Sequence, residues 1–411
     1  MIQLASKTLF LFLLLSFSSE ISAGSVFSAS PQGIGIKRYL VSVRGMGMGG
    51  TGIASPDSIS LPTYGTSKWR AIDQTRATIS FRYSRINADL QNESHTTATG
   101  RFGNLDLAIP LKLHKIVLGI SVLPYADTDL NYSLPVESNL TNYQEFVTNQ
   151  GNIGKARLSL IWSPMSKLGF SFEASYYFGV ITDKYQLSFT NVNYFDSDHE
   201  IEYRFRGPGL GFSIDINPIE RLALAGFVDS KPSLKIEKKF TSPVSNSSSI
   251  IAETASFPIH FGIGANLRFH KKMTLAVDYS SQQWSNGISG VSSSNSESNT
   301  ITGTSNLDDW YHVGIGLERE ARRKRGTKFL SRLEYRLGVS STGIGYKFNN
   351  STVIQYAAHL GFGIPYSALN RFDFAFVVGI RGDKSKHGAE EKFFGIEISL
   401  SMGEQWFQKL R

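Results

Sequence analysis

The chain has 411 residues, is 41% hydrophobic and 12% aromatic, and carries a formal charge of +8 with no cysteine. Its apolar residues are dispersed, so no stretch after residue 17 approaches the roughly 18 uninterrupted apolar residues of a membrane helix. The lack of cysteine excludes a disulfide scaffold, and basic residues spread along the whole chain give no nucleic-acid patch.

The first element is the apolar run Leu9 to Phe17, which follows Lys7 and leads to Ile21-Ser22-Ala23. That is the basic, apolar and small-residue order of a secretory leader, expected to be cleaved after Ala23; the run is too short to be a spanning anchor. From Gly24 to about Asp73 the chain is rich in Gly, Ser and Pro and has no sustained period, so a compact irregular segment is expected. From residue 74 to 411 the pattern is period two. Ala77, Ile79, Phe81 and Tyr83 alternate with Arg76, Thr78, Ser80 and Arg82; Phe170 to Val180 and Ile259 to Phe269 repeat the pattern, and Ile396 to Met402 close it.

About fourteen such segments follow one another, starting near residues 74, 100, 115, 152, 167, 199, 221, 252, 272, 309, 328, 352, 370 and 391. Each has at least the roughly 9 to 11 residues that a tilted spanning strand needs. Short connections at 163–166, 217–220 and 270–272 alternate with long polar ones at 88–99, 134–151, 184–198, 241–251 and 286–308. A soluble sandwich also alternates, but its strands average about five to six residues. The regular charges Arg157, Asp278, Glu318, Arg332, Glu334, Arg336, Asp373 and Arg381 also suit the water-facing interior of a wide barrel. The expected fold is all-β: a transmembrane antiparallel barrel, closed so that no backbone edge faces lipid.

Several stretches resemble the long-chain fatty acid transporter family of outer-membrane proteins, the FadL/TodX type. They are the glycine-rich Arg44 to Ala54 with Ser55-Pro56-Asp57-Ser58, then Phe257-Pro258 with Gly262 to Ala265, and Leu275 to Tyr279 with Trp284. Tyr335 to Gly338, His359 to Pro365 and Trp406 to Lys409 follow in order. The resemblance implies a barrel of fourteen strands whose N-terminal segment plugs the lumen. Candidate plug and gate residues are then Gly45, Gly47, Gly49, Gly50, Leu61, Pro62 and Thr63. Where the family carries Asn-Pro-Ala this chain reads Leu61-Pro62-Thr63, which departs from the family's gating element.

A second candidate is a kink in the wall. The apolar phase of Ile201, Tyr203 and Phe205 differs from that of Leu210, Phe212, Ile214 and Ile216, and Gly207-Pro208-Gly209 lies between them. An extra residue or break is expected there, either an opening for sideways exit of an apolar ligand or a bulge that curves the barrel. Gly45 to Gly52 is no phosphate loop, since no Lys-Ser/Thr pair follows it, and the eight scattered histidines show no ligand spacing. Tyr176, Tyr177, Tyr185, Trp284, Trp310 and Tyr311 are expected in interfacial girdles.

The division expected is therefore a leader at 1–23, a plug segment at 24–73 and the barrel at 74–411. The function expected is passive uptake of hydrophobic or amphipathic molecules, such as long-chain fatty acids or hydrocarbons, with no enzymatic step and no cofactor. The alternative is a non-transporting barrel that serves as a shuttle or anchor for exported proteins. Expected partners are outer-membrane lipid and a hydrophobic ligand, not nucleic acid, around a monomer in the bacterial outer membrane.

Overall fold

A computed structural model describes residues 25–28, 35–55, 57–90, 94–136, 142–189, 195–241, 248–286, 307–321, 328–367 and 369–404. The leader expected at 1–23 and the closing 406–409 lie outside the described residues. The alternating segments become antiparallel strands: β1 Thr75–Leu90, β2 Ser94–Lys112, β3 Ile116–Val136, β4 Tyr143–Met165, β5 Leu168–Phe189 and β6 Ser197–Ile219. β7 comes in two pieces, Leu222–Asp229 and Leu234–Thr241, and so does β8, Ser248–Ala255 and His260–His270. β9 Met273–Gln282, β10 Leu307–Arg319, β11 Glu334–Phe348, β12 Ser351–Pro365, β13 Arg371–Asp383 and β14 Ala389–Glu404 complete the set. Each strand pairs with the next, and β14 returns to β1 in one unbroken register from Ala389↔Leu90 to Glu404↔Thr75. The fold is a closed barrel of fourteen strands, as the periodicity predicts.

Alternation puts the greasy face outward. Phe81, Leu158, Phe172, Ile214 and Ile263 are exposed on the outer wall, while Ser80, Arg157, Ser171 and Asp215, each next to one of them, are buried inside. Such a band suits lipid, whose lack of hydrogen-bond partners a closed sheet tolerates.

Near the long-loop end the chemistry reverses although the geometry does not. Along β6, Tyr203, Phe205, Gly207, Gly209, Ser213 and Asp215 all point inward, and Arg204, Arg206, Pro208, Leu210 and Ile214 all point outward. β6 pairs with β5 from Leu168↔Ile216 to Leu187↔Ser197 without a register shift. The expected break at Gly207-Pro208-Gly209 is therefore absent from β6: the apolar set changes sides because the strand passes out of the lipid band into water while the lumen becomes an apolar core. Several segments expected as long loops are strand for the same reason, including 94–99, 143–151 and 184–189.

Inside the ring lies the N-terminal segment. Residues 35–55 and 57–72 are almost wholly buried and contain a four-residue helix, Val43–Met46, and a 3-10 turn, Thr66–Ala71. The segment meets inward side chains around the ring: Asp278 of β9, Glu318 of β10, Arg371 of β13, Glu173 of β5 and Asp215 of β6.

Candidate functional site

The glycine run is a seat, backbone against backbone. Gly49 and Gly50 hold φ of +75° and +74°, which side-chain-bearing residues rarely adopt. A Cβ on Gly49 would lie 2.6 Å from the carbonyl oxygens of Ile315 and Val339, and one on Gly47 would lie 2.7 Å from Gly361 Cα. The wall answers in kind, for Gly314, Gly316, Gly338 and Gly361 face this turn from β10, β11 and β12. Gly45 is held differently, since its Cβ would meet the Thr51 carbonyl within the segment's own turn.

Beside the glycines, charge fixes the segment. Arg44 Nε donates to Glu318 Oε1 at 2.8 Å, and Arg371 pairs with Asp57. Arg336, fully buried, donates to Glu318 at 2.8 Å, to Asp373 at 2.7 Å and to Glu334, while Arg371 Nε reaches Asp373 at 2.9 Å. Burial alone would raise the Asp57 carboxyl, yet the guanidiniums of Arg371 and Arg44 hold it well below the usual carboxylate range. Asp278 accepts from the backbone N–H of Gly52 at 2.6 Å and of Ile53 at 2.8 Å. Of the expected inward charges, only Arg332 is misplaced: it is exposed in the turn Phe329–Arg332.

Leu61, Pro62 and Thr63 sit on the opposite side of the segment, all buried. The Pro62 carbonyl accepts from Trp69 Nε1 at 2.8 Å and the Thr63 carbonyl from Arg157 at 2.7 Å, and Leu61 packs with Trp69, Ile72, Ala108, Val117 and Ile161. The glycines and this tripeptide thus anchor two sides of one segment rather than forming one site.

The wall separates at a place the sequence reading missed. β2 and β3 pair from Lys112↔Ile116 only as far as Leu105↔Val122, although both strands run on, β2 back to Ser94 and β3 on to Val136. Each strand carries an extra residue where the seam starts. In β2 the bulge is at Gly103-Asn104, seen as the shift from Ile79↔Leu105 to Phe81↔Phe102; in β3 it is at Tyr125, between Pro124↔Gly154 and Ala126↔Ile153. Proline removes a ladder donor and glycine tolerates the bend, so Phe102-Gly103-Asn104 and Leu123-Pro124-Tyr125 were the readable signals.

A cavity of about 540 Å³ occupies the seam. Its inner end is charged: Arg38 meets Asp127 at 2.6 Å, Arg101 meets Asp127 at 2.5 Å and Asp129 at 2.8 Å, and Arg82 meets Glu397 at 3.2 Å. Its outer end is Phe81, Phe102, Val122 and Phe178, residues of the outer, apolar wall. A narrower space of about 40 Å³, which shares Arg38, Arg82, Arg101, Asp127 and Asp129, continues the cavity toward Ser25 and Ser28.

The inner segment itself straps the seam. Ile36–Lys37 forms a two-residue strand on β3, Ile36↔Asp127 and Lys37↔Ala126, and Arg38 N–H donates to the Tyr125 carbonyl at 2.9 Å. The Lys37 ammonium is buried without a hydrogen-bond partner, 4.0 Å from the centroid of the Trp310 ring, and burial pushes its pKa well down. Trp310 belongs to an aromatic core with Tyr39, Tyr64, Tyr125, Tyr177, Phe257 and Trp284. Tyr177, Trp284 and Trp310 are therefore interior residues and not girdle residues, whereas Tyr176 and Tyr185 are exposed.

Gly207 and Gly209 serve their neighbours. β7 breaks between Asp229 and Leu234, and β8 between Ala255 and His260, so the irregularity lies in the two following strands. A Cβ on Gly207 would lie 1.9 Å from the Ser233 carbonyl oxygen, and Ser233 N–H donates to the Pro208 carbonyl at 3.0 Å. The residues mark a close approach, and the sequence signal fell one strand early.

The fold and its lipid-facing wall define the class: an outer-membrane β-barrel of the FadL fold. Solved structures with this architecture include a Pseudomonas aeruginosa FadL homologue, with a TM-score of 0.62 at 11% identity over 89% of this chain and 98% of that one. The Ralstonia pickettii toluene transporter TbuX gives 0.58 at 13% identity over 87% and 97%, and the P. putida toluene transporter TodX 0.56 at 12% over 90% and 100%. No curated relative matches the chain. The family model that matches is BamG, over residues 1–411, and the chain belongs to the BamG family. The expected likeness to the FadL type thus holds for the fold, while the family carries a different name.

Proposed function

We propose that this barrel is a passive conduit for hydrophobic or amphipathic small molecules, with the seam between β2 and β3 as its exit into lipid. The observation that carries the reading is the two-ended cavity, charged at Arg38, Arg101 and Asp127 and apolar at Phe81, Phe102, Val122 and Phe178. Such a site orients a molecule with a polar end and an apolar body, and it opens toward the solvent in which that body dissolves. The segment 24–73 acts as the plug, Ile36–Lys37 as the strap over the exit, and the leader 1–23 is removed on export. The neighbours in fold, among them toluene transporters, support the class of ligand: long-chain fatty acids or hydrocarbons.

A second reading is favoured by two observations. The inner segment is locked by buried ion pairs on the β10, β11 and β13 side, and the family is not that of the neighbours. On this reading the barrel is a non-transporting shuttle or anchor for exported proteins. Cells that make the barrel should take up radiolabelled toluene or oleate several-fold faster than cells that lack it. Equal rates for both compounds would sink the conduit and leave the second reading.

A further inference from the structure

The lipid-facing wall over β10 to β14 is not a plain cylinder. It carries a hollow of about 760 Å³, within the roughly 300–1,000 Å³ of ligand sites. Two rows of register partners form its floor. One runs Val313↔Ser341↔Tyr356↔Ile380↔Lys392, and the other Ile315↔Val339↔Ala358↔Val378, with Phe394 the next partner beyond the lining. Ser341 and Ala358 are small where their neighbours are large, so the rows dip in the middle. Behind the floor the wall is backed directly by the glycine turn, for the Ile315 and Val339 carbonyls touch Gly49.

The hollow ends in charge at Lys392, which closes the first row. Arg85, the register partner of Phe394, stands outward on the next strand, beyond the lining, so two outward cations stand diagonally on adjacent strands. Lys392 is 59% exposed and only loosely paired, at 3.8 Å to Asp89 and 3.6 Å to Glu390. Both cations lie in the long-loop half of the wall, at the edge of the outward apolar face, the level of the outer leaflet's head groups.

We infer that this hollow is a binding site for a diphosphorylated, multiply acylated glycolipid of the outer leaflet, with its phosphates at Lys392 and Arg85 and an acyl chain along Ala358. Apolar lining alone would accept any lipid chain; the paired cations at one end select a head group rich in phosphate. The site is separate from the seam, lying over β10 to β14 and β1 whereas the seam divides β2 from β3, and does not depend on transport.

The test uses the full chain purified in mild detergent, incubated with micelles that contain diphosphoryl lipid A or, separately, phosphatidylglycerol, and weighed by native mass spectrometry. Wild type is expected to hold lipid A in preference to phosphatidylglycerol. Ala358→Trp, which fills the hollow, and the pair R85E with K392E should each weaken retention at least about tenfold. Heat-modifiable mobility on a gel checks that each variant is folded, and if Ala358→Trp does not fold, the charge variant decides. Lipid A held equally by wild type and the charge variant, phosphatidylglycerol held as well as lipid A, or no lipid held by wild type would each overturn the assignment.

Discussion

Substituting valine for Gly338 is expected to drive the inner segment from its seat while the barrel stays closed. A Cβ at this position would lie 2.2 Å from Gly49 N and 2.4 Å from Met48 C, both backbone atoms that no rotamer change can move aside. Overpacking of a core ordinarily costs about 1–3 kcal/mol, and a clash between backbones falls at or above the top of that range. Strand pairing is untouched, because β11 is bonded to β10 and β12 through its backbone. Trypsin should then cut the folded variant at Lys68, which wild type shields by burial. Gly226→Val is the control, since its Cβ would meet nothing nearer than 3.4 Å. If both variants resist trypsin as wild type does, the glycines are not the seat.

Arg336→Met should be the most damaging single change of charge. It removes a fully buried cation from Glu318, Glu334 and Asp373 and leaves three carboxylates to share Arg44 and Arg371. Breaking a buried pair in this way costs about 3–5 kcal/mol, most of it for the charge left without a partner. The guanidinium midpoint of unfolding should fall accordingly. Adding Asp373→Asn restores the balance of charge and should recover much of the loss. A single variant that costs less than about 1 kcal/mol would show that the cluster is screened like a surface pair and is not a buried lock.

What the sequence disclosed and what it hid have a common cause. Period two reports which face of a strand meets lipid, so it located all fourteen strands and put Ser80, Arg157, Asp278 and Glu397 indoors, where they are buried. It assumes that outside is greasy and inside polar, and that assumption lapses above the lipid band. There Tyr203 and Phe205 face inward and Arg204 and Arg206 outward, so an unbroken strand looked broken. The glycine run was legible as a candidate element of the inner segment, but its complement on β10, β11 and β12 was not, because Gly314, Gly316, Gly338 and Gly361 look like ordinary gaps in an alternating strand. The seam was hidden for a related reason. A bulge shifts register by one residue, and Gly103 and Pro124 each have commoner explanations when the partner strand is unknown.

The strap over the seam offers a direct test of the exit in a chain without cysteine. Lys37 and Ala126 are register partners, and the adjacent pair Arg38 and Tyr125 carries the hydrogen bond. They therefore form a non-hydrogen-bonded pair, whose Cα atoms lie about 4.5 Å apart, within the range of about 4.4–6.8 Å that a disulfide bridges. The variant carrying both K37C and A126C should take up labelled toluene or oleate when reduced and stop when oxidised, with either single substitution unaffected by oxidant. Uptake that continues at the reduced rate through quantitatively oxidised protein would contradict the seam as the way out.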